Sequence, residues 1–168
     1  KDNFIKNLLL DNLLLVDIYS RAKKLHIQTD VKRVVMIVES DNGKDNNALD
    51  FVRANFGNNS KDFITAVDEN NVIVVKDLSD GDGGKDIDRA ARAIESLLNN
   101  EGIKDVHIAY GTIVNELKEV SRSYKEAKMA LDVGKIFFDE RDIIAYSELG
   151  IGRLIYQLPI PLCKMFIK

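Results

Sequence analysis

The stretch Arg33-Val-Val-Met-Ile-Val-Glu39 decides the class of fold, because its apolar residues follow one another without a polar interruption. A strand with one face in water alternates apolar and polar side chains, whereas an uninterrupted β-branched run is typical of a central strand covered on both faces. We therefore predict that Arg33–Glu39 is an inner strand of a sheet with helices packed on it.

The segment before this strand, residues 3–26, has the three-and-four spacing of apolar residues that indicates a helix. Asp11-Asn12 interrupts the pattern, so we expect two helices or one helix with a kink near Asp11. From Leu8 to Val16 the apolar residues nearly encircle the helix axis, which is more than one buried face requires. These leucines are expected either to lie inside the domain or to pack against a second copy of the chain.

The segments after the strand show both helical and strand patterns. In chain order they predict a helix from Ala48 to near Gly57, a β-hairpin of Asp62–Val67 and Val72–Lys76 with a polar tip at Asp68–Asn71, a Gly/Asp loop over Leu78–Lys85, a helix over Ile87–Leu98 closing at Gly102, and a strand over Val106–Ile113.

The last part of the chain predicts a helix, a strand and further helices. They are a helix between an N-cap at Asn115 and a C′ residue at Gly134, a short strand over residues 143–146, a helix over Gly150–Leu158, and a last helix beginning at Pro161. The order is N-terminal helices, a β-α-β-β-α-β core and a C-terminal helix-strand-helix extension. This order predicts an α/β (α+β) fold with a mixed, ferredoxin-like sheet in one domain, residues 1–168.

Charge and composition narrow the classes of function. The chain has 24 basic and 27 acidic residues and a net charge of −3. The short basic clusters Arg21–Lys24 and Lys32-Arg33 are expected to be solvated. A protein that grips duplex DNA usually carries a basic face, so this part of a protein is not expected to bind DNA by itself.

The two ends of the sequence and its cysteine content indicate the cellular compartment of the protein. No segment has the roughly 20 apolar residues of a membrane span, and the single Cys163 predicts no internal disulfide. The sequence begins at Lys1 without a methionine or a signal-peptide layout, and it stops at Lys168 within an apolar run. We expect a piece of a longer cytoplasmic protein, without contact to a membrane.

The residues that commonly carry catalysis are sparse. His26 and His107 each stand alone, without a spacing that ligates a metal. In the loop Ser79–Lys85, Asp80 and Asp82 would repel a phosphate, and the Gly-x-x-x-x-Gly-Lys spacing of a phosphate-binding loop is missing. We therefore predict that the protein is not an enzyme and that it binds no cofactor and no metal ion.

One combination of motifs does point to a known family. Its parts are Ala109-Tyr110-Gly111-Thr112, Ser123-Tyr124-Lys125-Glu126-Ala127 with Ala130-Leu131, and Tyr146-Ser147-Glu148-Leu149-Gly150 with Arg153-Leu154-Ile155. Together with the predicted order of elements, they resemble the degenerate GGDEF-like domain of carbohydrate-diacid and purine-catabolism regulators. That domain is similar to the GGDEF domain of diguanylate cyclases.

The hairpin departs from the pattern of the active cyclases. Their Gly-Gly-Asp-Glu-Phe hairpin brings backbone close to the nucleotide and supplies metal-binding carboxylates. Here the sequence is Ala66-Val67-Asp68-Glu69-Asn70-Asn71. In one register Asp68 and Glu69 match the acidic pair without the glycines; in the other, Asn70-Asn71 replaces the carboxylates. The first strand ends in Glu39-Ser40 instead of an aspartate, so Glu39, Asp68 and Glu69 are at most a vestigial ligand site.

The resemblance implies a function in gene regulation. It implies an N-terminal sensing domain that binds an effector and a C-terminal helix-turn-helix that binds DNA, neither of which is in this sequence. The expected role of the present domain is dimerisation and signal relay as a homodimer. The alternative hypothesis is a small-molecule or nucleotide-binding module that uses the degenerate cyclase-like site.

Overall fold

The computed structural model describes residues 2–40, 48–56, 61–68, 71–79, 84–103, 105–137 and 142–149. The elements in these ranges are α1 Asp2–Leu9, α2 Leu15–Lys24, β1 Arg33–Glu39, α3 Ala48–Phe56, β2 Phe63–Ala66, β3 Asn71–Asp77, α4 Gly84–Asn100, β4 His107–Tyr110, α5 Val120–Phe137 and β5 Ile143–Ala145. The helices predicted over Gly150–Leu158 and from Pro161 lie outside the described residues.

The five strands form one sheet in the order β2-β3-β1-β4-β5. β1 lies in the middle and runs antiparallel to β3 and β4, and β2 runs antiparallel to β3. The edge strand β5 runs parallel to β4, which makes the sheet mixed. The first four strands and the helices α3 and α4 form the β-α-β-β-α-β unit of ferredoxin-like folds. The predicted fold class is therefore confirmed.

The central strand is covered on both faces, as its continuous apolar run indicates. Val35 and Ile37 belong to one hydrophobic core, which also contains the buried residues of α1, α2 and α5. Val34, Met36 and Val38 belong to the second core, which contains those of α3 and α4. α5 closes the first core over β1 and β4, so the position of this helix relative to β1 must be fixed.

A bulge at the end of β4 creates the contact that fixes α5 relative to β1. Tyr110 lies opposite Met36, and the next pair is Val114 with Arg33, so β4 has one residue more than β1 between the two pairs. The Val35 carbonyl accepts a 3.0 Å hydrogen bond from the Gly111 amide. The Val35 amide donates to the Ser123 hydroxyl at 3.0 Å, because the bulge removes its partner on β4. Ser123 thereby replaces a missing hydrogen bond of the sheet.

The contact between Ser123 and the end of β4 also explains why the Ala-Tyr-Gly-Thr motif has a glycine at its third position. The Ser123 hydroxyl donates to the Thr112 carbonyl at 2.9 Å, and Glu126 accepts hydrogen bonds from the Thr112 amide and hydroxyl at 3.0 and 2.6 Å. A Cβ on Gly111 would lie 2.3 Å from the backbone oxygen of Ser123. Two of the three motifs that carry the family resemblance are thus the two halves of one packing contact.

The predicted limits of α5 are wrong at both ends. Gly134 does not end the helix, which continues to Phe137. A Cβ there would lie 2.3 Å from Cδ1 of Ile144, so this glycine allows α5 to approach β5 closely. Asn115 does not cap α5 either, since a 3₁₀ turn over Leu117–Glu119 precedes the helix and Leu117 donates its amide to the Thr29 carbonyl at 2.7 Å.

Three helices end in the same way. α1, α2 and α4 are each followed by a residue in the left-handed region: Asp11 (φ 60°), His26 (φ 59°) and Gly102 (φ 79°). In each case the next amide bonds a carbonyl five residues back, as in Ile27 to Ala22 at 2.8 Å, which defines a Schellman motif. The predicted break near Asp11 and the closure at Gly102 are confirmed, and His26 has a structural role.

Replacing Gly111 with alanine is expected to destabilise the domain strongly. The added methyl group would meet backbone of Ser123, which no side-chain rotation can relieve, so the cost should be at or above the upper end of the roughly 1–3 kcal/mol typical of overpacking. Urea denaturation measures this free energy. The matched control is Gly84→Ala in α4, where nothing lies within 4 Å of the new Cβ. Equal stability of the two variants would contradict the packing role of Gly111.

Ser123→Ala tests the hydrogen bond to β1 without adding volume. The Val35 amide would lose its partner inside the protein, at a cost of about 1–3 kcal/mol. Amide hydrogen exchange should also accelerate at Val35 more than at Ile37, whose amide is in the regular ladder. An unchanged exchange rate at Val35 would show that another acceptor replaces the hydroxyl.

Candidate functional site

The end of the sheet that would carry a nucleotide site brings two of the three predicted residues together. Glu39, the last residue of β1, lies opposite Asn71 of β3 and His107 of β4. Asp68 lies at the hairpin tip and is bound to the same Asn71. The third predicted residue, Glu69, lies outside the described residues. Glu39 and Asp68 thus share one end of the sheet, with Asn71 between them.

Glu39 is neutralised by a lysine of the same chain. The ammonium group of Lys135, on α5, lies 2.6 and 2.8 Å from the two carboxylate oxygens of Glu39. An ammonium group at this distance supplies the positive charge that a bound cation would otherwise bring. The carboxylate that stands where the cyclases have a metal-binding aspartate therefore already has a counter-ion that belongs to the fold.

Asp68 closes the hairpin. One of its carboxylate oxygens accepts a hydrogen bond from the Asn71 amide at 2.9 Å, and the Asn71 side chain donates to both oxygens at 3.1 and 3.0 Å. Such a carboxylate, which binds backbone a few residues on, stabilises a tight turn. The asparagine that replaces a catalytic residue in one register of the family motif thus holds the neighbouring acid in a structural role.

The hairpin tip also lies close enough to α5 to affect the pKa of a tyrosine on that helix. Burial raises the pKa of Tyr124, and the negative charge of Asp68 raises it further. The tyrosine of the Ser-Tyr-x-Glu-Ala motif is buried in the first core, so it links the hairpin to the helix that carries Ser123 and Lys135. The site residues and the Ser-Tyr-x-Glu-Ala motif of α5 are therefore parts of one structural unit.

These residues do not fit a divalent metal. Magnesium requires near-octahedral oxygen ligands, usually from one or two carboxylates together with water and phosphate. Within the described ranges, no group of three or more His, Cys, Asp or Glu side chains is placed to hold a metal ion. Of the predicted site acids that the structure describes, Glu39 is engaged by Lys135 and Asp68 by Asn71. No reaction step through a metal follows from this geometry.

A buried arginine at the other end of β1 corrects one prediction. Arg33 was expected to be solvated, yet only 2% of it is exposed. Its Nη2 donates to the Gln28 carbonyl at 2.7 Å, while Nε and Nη1 have no hydrogen-bond partner among the described residues. Burial lowers the pKa of Arg33, and the charge of Asp77 opposes this shift. The sequence showed only a short basic cluster, which does not distinguish a buried from a solvated arginine.

A pair of acids was also missed. Glu95 of α4 lies beside Asp142, which precedes β5. Burial raises the pKa of Glu95, and the hydrogen bond and negative charge of Asp142 raise it further. Two carboxyl groups from distant parts of the sequence meet here because α4 covers the β4 side of the sheet. No local sequence pattern around Glu95 or Asp142 predicts this contact.

Glu95→Gln is expected to stabilise the protein near pH 7 and to have little effect in acid. A raised pKa means that folding favours the protonated carboxyl, so its contribution is present at low pH and is lost as the pH rises through the folded-state pKa. Glutamine keeps the neutral form throughout. Urea denaturation at several pH values measures this, with the exposed Glu101→Gln as the charge-matched control. A pH-independent effect of Glu95→Gln would contradict the coupling.

The chain belongs to the family of GGDEF-like domains, whose model matches residues 12–133. It is 33% identical over 90 residues to the DNA-binding transcriptional activator AdeR of Bacillus subtilis (strain 168). The match covers 52% of this chain and 21% of that protein, so the chain corresponds to about a fifth of the length of this relative. Among the described helices, none is long and apolar enough to cross a membrane.

Proposed function

We propose that this domain is a regulatory, non-catalytic part of a bacterial DNA-binding transcription regulator of the sugar-diacid type. The observation that carries the proposal is the internal engagement of the two acids at the cyclase-like end of the sheet. Glu39 is bound by Lys135, and Asp68 is bound by Asn71. A domain in which the acids of the cyclase-like site bind side chains of the same chain is suited to transmitting a signal rather than to turning over a nucleotide.

The similarity to a transcriptional activator supports the regulatory setting. In this proposal the whole protein is cytoplasmic, an effector binds an N-terminal sensing domain, and DNA is bound by a C-terminal helix-turn-helix. The near-neutral charge of the present chain agrees with a domain that leaves DNA binding to another part. It acts as a homodimer in which the arrangement of two copies reports the state of the effector site.

The helical layer of α1, α2 and α5 is the natural element for such a relay. It lies on one face of the sheet and is fixed to β1 by Ser123. An effector can change the arrangement of two copies only if it has a different binding free energy in the two states. A helical layer with an exposed apolar outer surface can provide two alternative packings without any change inside the domain.

The second candidate function is binding of a nucleotide at the degenerate site. It is favoured by one observation, the placement of Glu39 and Asp68 at the same end of the sheet. A nucleotide bound there would have to displace Lys135 from Glu39 or use the ammonium group for its phosphate. This hypothesis predicts ligand contacts at Glu39, Asp68 and Glu69.

Thermal unfolding with guanine nucleotides and Mg²⁺ distinguishes the two functions. A ligand that binds only the folded state at 100 times its Kd adds about 2.7 kcal/mol of stability. The relay proposal predicts no shift in Tm with GTP, GDP or GMP at millimolar concentration and no cyclic dinucleotide in a turnover assay. A shift that disappears in Glu39→Gln or Asp68→Asn, but not in the control Glu101→Gln, would favour the nucleotide-binding module and overturn the proposal.

A further inference from the structure

We draw no further inference here: the strongest candidate, the exposed apolar patch at the start of α2 (Leu14, Leu15, Val16 and Tyr19), carries none because nothing in the structure shows what covers it.

Discussion

The hydrogen bond from the Val35 amide to the Ser123 hydroxyl is the constraint on which the arrangement of this domain depends. It exists because the bulge at Gly111 leaves the central strand without one partner, and it fixes the position of α5 over the sheet. From Ser123 the helix rises about 18 Å to Lys135, at 1.5 Å per residue. Lys135 thereby reaches Glu39 at the end of the central strand. One buried hydroxyl thus determines where the lysine meets the acid.

The sequence predicts those parts of the fold that depend on local patterns. The continuous apolar run of β1, the break near Asp11 and the closure of α4 at Gly102 are all confirmed, because strand burial and helix termination are visible within a few residues. The role of Gly134 was missed because the reason for a glycine there is Ile144, which lies on another element. Local chemistry indicates a helix end, and only the packing of α5 on β5 shows that the helix continues.

The same distinction holds for the candidate site. The acids at Glu39 and Asp68 could be found by comparison with the cyclase motif, and the structure places both at one end of the sheet. Their partners could not be found in this way. Lys135 is far from Glu39 in the sequence, and the amide of Asn71 was considered only as a substitute for a carboxylate, although it binds the carboxylate of Asp68. Motifs locate charged groups, but tertiary structure decides what neutralises them.

The short edge strands of the sheet have a consequence for how copies of this domain can meet. β2 has four residues and β5 has three, so each edge exposes few unpaired backbone groups. A sheet with such edges resists extension by a strand from another molecule, which is a common route to uncontrolled aggregation. Backbone pairing is indifferent to side-chain identity, whereas contacts between helix surfaces change with every substitution. In the proposed homodimer, assembly through the helices would let each regulator pair with its own copies rather than with related proteins.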